Sequence, residues 1–256
     1  MSKDQFEYVL RAGDDALILG QQLGLLTGHG PVIEEDIALT NIGLDQIGQA
    51  RAWLSLAGRL EHAASSELTL RDEDALTFLR DAPEFCNCLL VERPNGDFGD
   101  TIARQFLYDN YTVLWLEAMT ASSNDEMAGI AAKSVKEARY HLQHSSRWVL
   151  RLGDGTTESH SRMQASLDRM WPYVNELFDV DELTTRAASE GWGVDPSKLR
   201  SAWDAGVNAV LAEATLNRPD DGFSMRGGRT GSHTEAFGFM LAEMQFLQRA
   251  YPDCNW

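Results

Sequence analysis

Lys136-Glu137-Ala138-Arg139-Tyr140-His141-Leu142 lies inside a long segment of helical periodicity. At about 100° per residue, Glu137 falls within about 20° of Ile130 and Trp148 on the helix wheel. An acid near the middle of this helix therefore points toward its apolar stripe. Three other long helical segments repeat the pattern. Asp14 lies on the stripe of Leu10, Leu17, Ile18 and Leu25. Asp45 lies on that of Ala38, Ile42, Ala52 and Leu56, and Asp109 sits among Ile102, Phe106, Val113 and Leu116. Isolated buried carboxylates cost several kcal/mol, so four at matching depth are expected to converge near a bundle centre. Inward acids on four helices are the layout of a ferritin-like di-iron protein. The expected fold class is all-α: a ferritin-like four-helix bundle with additional C-terminal helices.

The metal motif itself is incomplete. A di-iron site requires a histidine three residues after the acid on two of the helices, because that spacing puts carboxylate and imidazole on one face. Asp45 is followed there by Gly48 and Glu137 by Tyr140, while His141 comes one residue late. Asp14, Asp45, Gly48, Asp109, Glu137 and Tyr140 are therefore read as degenerate di-iron positions that bind no metal. The acids then need other partners. Lys133, one turn before Glu137, and Arg11, three residues before Asp14, are the candidates for charge compensation. Gln21, Gln49 and Gln105 are possible amide donors near the same faces. No catalytic residue and no cofactor is assigned to this chain.

The same periodicity organises the whole sequence. Helices are expected over about Asp4 to Leu26, Ile33 to Leu60 and Asp74 to Arg80. The next opens after Asp100 as N-cap and runs to about Ala121. Another begins at Asp125 and ends near Gly153, with acids in its first turn facing the helix dipole. Thr157–Phe178 reads as one segment, and Asp195-Pro196 opens a helix to about Leu216. Ser232-His233-Thr234-Glu235 reads as a capping box leading to about Tyr251. Nothing divides the chain, and a single helical domain over 1–256 is expected.

The balance of 22 Lys and Arg against 39 Asp and Glu, a net charge of −17, opposes a nucleic-acid surface or adsorption to anionic lipid. No apolar run reaches the length of a membrane span, and Met1-Ser2-Lys3 leads into an amphipathic segment rather than a signal sequence. The cysteines, Cys86, Cys88 and Cys254, form no disulfide framework. The cytoplasm is the expected compartment.

Longer stretches carry a resemblance to a known family. They are Ala38-Leu-Thr-Asn-Ile-Gly-Leu-Asp-Gln-Ile-Gly-Gln-Ala-Arg51 and Pro94-Asn-Gly-Asp-Phe-Gly-Asp-Thr-Ile-Ala-Arg-Gln105, with Lys136 to Leu142. Glu213-Ala-Thr-Leu-Asn217, His233-Thr-Glu-Ala-Phe-Gly238 and Met240-Leu-Ala-Glu-Met-Gln245 follow in order. Essentially the whole chain resembles the ferritin-like C subunits of bacterial phenylacetyl-CoA epoxidase. The resemblance implies a non-catalytic structural subunit that pairs with a homologous A subunit, which carries the di-iron centre and binds the acyl-CoA. It also implies a reductase subunit with flavin and iron–sulfur centres and a small B subunit in the larger complex. A homodimer of the isolated chain stays open. The alternatives are a di-iron oxygenase with substituted ligands and a metal-free helical adaptor outside this pathway.

One further motif stands out. Arg226-Gly227-Gly228-Arg229-Thr230-Gly231 is a basic, glycine-rich loop before a helix. It lacks the Walker spacing. Its arginines are read either as a solvated connection or, through Arg226 and Arg229, as a contact to a phosphate or a partner subunit.

Overall fold

Apolar stripes on long helices can be buried only against one another, and the chain pairs them in sequence order. In the computed structural model, which describes residues 2–65, 69–252 and 254, helix α1 (Ser2–Leu26) packs along α2 (Ile33–Ala64). The connection between them is held by Asp36, whose Oδ1 accepts from the N–H groups of Gly28 (2.8 Å) and Gly30 (3.0 Å). A long crossover follows, with the short helix α3 (Glu73–Phe78) and a buried stretch, Phe85 to Val91, threaded beneath the bundle. The second pair is α4 (Phe98–Met119) against α5 (Asp125–Gly153), and α5 closes the bundle onto α2. The ends of the expected 1–256 span, Met1 and Asn255 to Trp256, lie outside the described residues.

Helix α4 is the central element. Every residue from Gly99 to Val113 is buried, so over that stretch it has no solvent face. Around it pack α6 (Thr157–Met170), α7 (Glu182–Ser189), α8 (Arg200–Glu213) and α9 (Glu235–Ala250): α6 and α8 on α4 and α5, α7 on α1, and α9 on α3. The main hydrophobic cluster runs from Tyr8 in α1 to Leu241 in α9. No strand occurs among the described residues, and the fold is a ferritin-like helical bundle with added C-terminal helices. No helix among the described residues is long and apolar enough to cross a membrane.

Several boundaries differ from those expected, each for a local reason. The N-cap of α4 is Asp97 rather than Asp100; Asp100 is the reciprocal partner of a capping box, its N–H donating to Asp97 Oδ1 at 3.0 Å. Thr157–Phe178 is not one helix. Pro172 follows the end of α6, and the chain continues as two 3₁₀ turns, Trp171–Tyr173 and Asn175–Phe178. Pro196 likewise opens a 3₁₀ turn, and α8 begins only at Arg200. Ser232 does not cap α9. The cap residue is Thr234, whose N–H donates to Glu92 across the fold at 2.6 Å.

Candidate functional site

The four inward acids do not meet. Each finds its own partner, and the partners come from different parts of the chain. Asp14, fully buried on α1, is gripped by the guanidinium of Arg80, whose Nη1 donates to Oδ2 at 3.0 Å while Nη2 donates to Oδ1. The Cys86 N–H supplies a third bond at 2.9 Å. Arg80 is itself buried, lies over the Phe85 ring at 4.0 Å and donates to Glu84 O at 2.9 Å. The expected partner Arg11 turns away and pairs with Asp181 at 2.6 Å. The planar fork of Arg80, brought in from the crossover, matches the carboxylate with two bonds.

Asp109 is buried on α4 and accepts only from Ser145 Oγ, at 2.8 Å. Burial pushes its carboxyl up to about 8, against the opposing pull of Ser145 and Arg104. It is therefore protonated at neutral pH. Arg104, buried one turn earlier, spends its donors on Arg93 O (2.6 Å) and Asn95 Oδ1 (2.9 Å). Burial lowers it to about 9, which leaves it charged at neutral pH.

The remaining two acids lie on the seam between α2 and α5. Asp45 is about two-fifths exposed (40%), and its Oδ2 meets His141 Nε2 at 3.0 Å. His141 is buried, and burial lowers its pKa despite the nearby carboxylate, so the ring is neutral. Glu137 accepts from Gln49 Nε2 at 3.0 Å. Lys133 does not compensate it: the side chain is exposed and makes no ion pair among the described residues. Farther along the seam Glu35 Oε2 meets His144 Nε2 at 2.8 Å and accepts from Trp148 Nε1 at 2.7 Å.

The register of this seam also corrects the expected motif. Gly48 and Tyr140, three residues after the acids, are both exposed. The residues four after the acids, Gln49 and His141, face inward instead. Gly48 faces open space, with nothing near where a Cβ would stand.

These donors do not fit a di-iron centre. Asp14 is saturated by an arginine fork, Asp109 is bonded to Ser145, and Glu137 is bonded to an amide. Among the described residues no three His, Cys, Asp or Glu side chains stand together as a metal site.

The glycine-rich loop is occupied by a carboxylate of its own chain. Glu176 Oε1 accepts from the N–H groups of Gly227 (2.9 Å) and Gly228 (2.8 Å), and Oε2 accepts from Leu89 N–H (2.7 Å). Arg229 forms a fork on Asp15 (2.9 and 2.7 Å) and donates to Cys86 O at 2.9 Å. Arg226 pairs with Asp179 at 2.6 Å. The donors offered for a phosphate are thus engaged internally. The sequence reading missed Asp15, Glu176 and Arg80. An adjacent Asp14-Asp15 pair on a buried face was the available signal, since two neighbouring buried acids call for buried partners.

A second internal ion pair ties α9 to the crossover. Glu92 is fully buried and accepts from Asn87 Nδ2 (2.9 Å), Thr234 N–H (2.6 Å) and His233 Nδ1 (2.8 Å). His233 Nε2 faces Phe85 O at 3.0 Å, so both ring nitrogens meet acceptors. Burial opposes the imidazolium, but Glu92 and Phe85 O outweigh it, and the pKa is raised.

The helices and their inward acids, each bonded to side chains of the same chain, define a ferritin-like helical-bundle protein. The chain belongs to the phenylacetic acid catabolic protein family, which it matches over residues 1–256. It is 48% identical over 249 residues to the C subunit of the 1,2-phenylacetyl-CoA epoxidase of Escherichia coli (strain K12), covering 97% of this chain and 98% of that protein.

Proposed function

We propose that this chain is a non-catalytic structural subunit of a multicomponent 1,2-phenylacetyl-CoA epoxidase, pairing with the di-iron catalytic A subunit. The observation that carries the reading is the Asp14–Arg80 fork. A guanidinium neutralises an inward acid where a ferritin-like enzyme would use a metal, and the other acids are bonded to serine, histidine and amide partners. The chain's likeness to a C subunit points the same way. It holds no metal or other cofactor; the di-iron, flavin and iron–sulfur groups belong to the A and reductase subunits. Its compartment is the cytoplasm.

The surface supplies a place for a partner. On α2, Ile33 (71% exposed), Ile37 and Leu44 (64%) fall within about 40° of one another around the helix. Gly48 continues that face, and Tyr140 of α5 is exposed as well. Exposed apolar side chains aligned along one helix mark an interaction surface. The two positions that a di-iron ancestor would give to histidine therefore serve an outward face. The test is reconstitution: the A subunit is assayed for epoxidation of phenylacetyl-CoA alone and with this chain, and the mixture is run on gel filtration. Co-elution and activity restored by this chain are expected. A chain that elutes alone and leaves activity unchanged would contradict the reading.

A further inference from the structure

The molecule encloses a cavity of ≈ 370 Å³ between α1, α2, α4 and the loops around Glu176–Asp181 and Arg226–Thr230. The assembly reading makes no use of it. We propose that this cavity binds a small neutral aromatic molecule of one or two rings that carries a single hydroxyl or amide group. Binding there depends on no partner subunit.

The walls set the ring character. Tyr8, Trp53, Tyr108, Tyr111 and Trp115 all line the space. The rings brace one another: Tyr8 stacks on Trp115 at 6.2 Å between centroids, and Trp53 meets Trp115 edge-on at 5.7 Å. A braced aromatic wall does not collapse into the void, and it offers faces and edges to another ring. The volume exceeds the roughly 150 Å³ of an apolar cavity that takes benzene, and it falls within the usual range of ligand pockets, about 300–1,000 Å³.

Two hydroxyls set the polar substituent. Thr112 also lines the cavity, but its Oγ1 is sealed from the space and has no partner in hydrogen-bonding geometry. The Tyr108 hydroxyl is near enough to interact with it but does not close such a bond. The Tyr111 hydroxyl also makes no hydrogen bond among the described residues. Leaving a buried hydroxyl unpaired is unfavourable, and a ligand donor or acceptor relieves it.

The charges set neutrality. Arg11, Arg226 and Arg229 line the cavity, but so do Asp15, Glu176, Asp179 and Asp181. Each arginine is already engaged by an acid, and Glu176 is held by three backbone N–H groups. An anion would meet an excess of carboxylates, and a cation would find those carboxylates taken. Val180, 48% exposed, also lines the space, so the cavity reaches solvent at the loop that carries the Asp179–Arg226 and Asp181–Arg11 pairs.

The test uses the purified full chain and two probes of similar shape, 2-naphthol and 2-naphthoate, near neutral pH. Calorimetric titration should give one site for 2-naphthol, with a rise in melting temperature that grows with its concentration. 2-Naphthoate should produce neither. Tyr111→Phe should weaken 2-naphthol about tenfold, the loss of roughly one hydrogen bond. Ala16→Phe, at a small residue of the wall, should abolish binding while the chain stays folded by circular dichroism. Three results would each overturn the assignment. They are no heat and no melting shift with 2-naphthol at its solubility limit, 2-naphthoate binding as tightly, or undiminished binding in Tyr111→Phe. The last arm decides the matter should Ala16→Phe fail to fold.

Discussion

Replacing Arg80 by methionine removes the cation of the most deeply buried arginine–carboxylate pair among the described residues. Its side chain is 2% exposed and that of Asp14 is 0% exposed, so water cannot substitute for the guanidinium. Breaking a buried pair by removing one partner typically costs about 3–5 kcal/mol, because the other charge stays uncompensated. A second route bounds the same figure. Protonating a carboxyl of ordinary aqueous pKa at pH 7 costs about 4 kcal/mol, and the unpaired group will take that course once charging it costs more. The Cys86 N–H bond to Asp14 survives, while Glu84 O loses a donor, so the two corrections run in opposite directions. Arg80→Met should therefore lower unfolding stability by about 3–5 kcal/mol in a urea titration at pH 7. Arg80→Met with Asp14→Leu should recover most of it, since replacing both ions by apolar groups is often near neutral. Lys133→Met, at an exposed lysine outside any ion pair among the described residues, should stay within about 0.5 kcal/mol. A single-variant loss below about 1 kcal/mol, the range of an exposed pair, would refute the account of Asp14.

Other expectations follow from the same geometry. Asp109 keeps its proton in the folded state up to about pH 8 and loses it on unfolding above the ordinary carboxyl range. Stability should thus be complete at acid pH and fall between about pH 4 and 8, by roughly 1 kcal/mol per pH unit. Asp109→Asn should flatten that slope in urea titrations at successive pH values, and an unchanged slope would mean that the carboxyl is ionised. His233 has a raised folded pKa, so its pair with Glu92 stabilises fully below the free-histidine value near 6.5 and is lost as pH rises through the folded one. His233→Gln should destabilise the chain at pH 6 and converge toward the parent at higher pH; equal destabilisation at every pH would exclude an imidazolium. Leu44→Glu places a charge on the exposed stripe of α2 and should abolish co-elution with the A subunit while leaving the melting temperature of the isolated chain unchanged. Retained co-elution would move the interface elsewhere.

The long helices were legible because apolar spacing is a local signal, and so was the burial of Asp14 and Asp109 on their own stripes. What the acids touch was not. Arg80 lies 66 positions from Asp14, on a short segment of the crossover, and no helical period connects them. Wheel arithmetic proposed Arg11 and Lys133 because it sees only neighbours on the same helix; tertiary packing instead delivered Arg80 to Asp14 and Gln49 to Glu137. The seam of α2 and α5 turned on one residue of register. Counting three positions from each acid pointed to Gly48 and Tyr140, which are exposed, whereas four positions reach Gln49 and His141. A helix turn of 3.6 residues leaves both choices near the acid's face, and only the opposing helix decides between them. The glycine-rich loop was read as a solvated connection or as a contact to a phosphate or a partner; its N–H groups hold Glu176 instead, about fifty positions away and beyond any local signal.

The central claim is that the inward carboxylates are closed by protein partners and this chain holds no metal centre. The measurement that bears on it most directly is iron content, determined by elemental analysis on the chain purified from iron-replete cells and on its complex with the A subunit. The account predicts only trace iron in the isolated chain, and iron in the complex that scales with the A subunit alone. A stoichiometric pair of irons in the isolated chain, with an oxo-bridge absorption band, would contradict it.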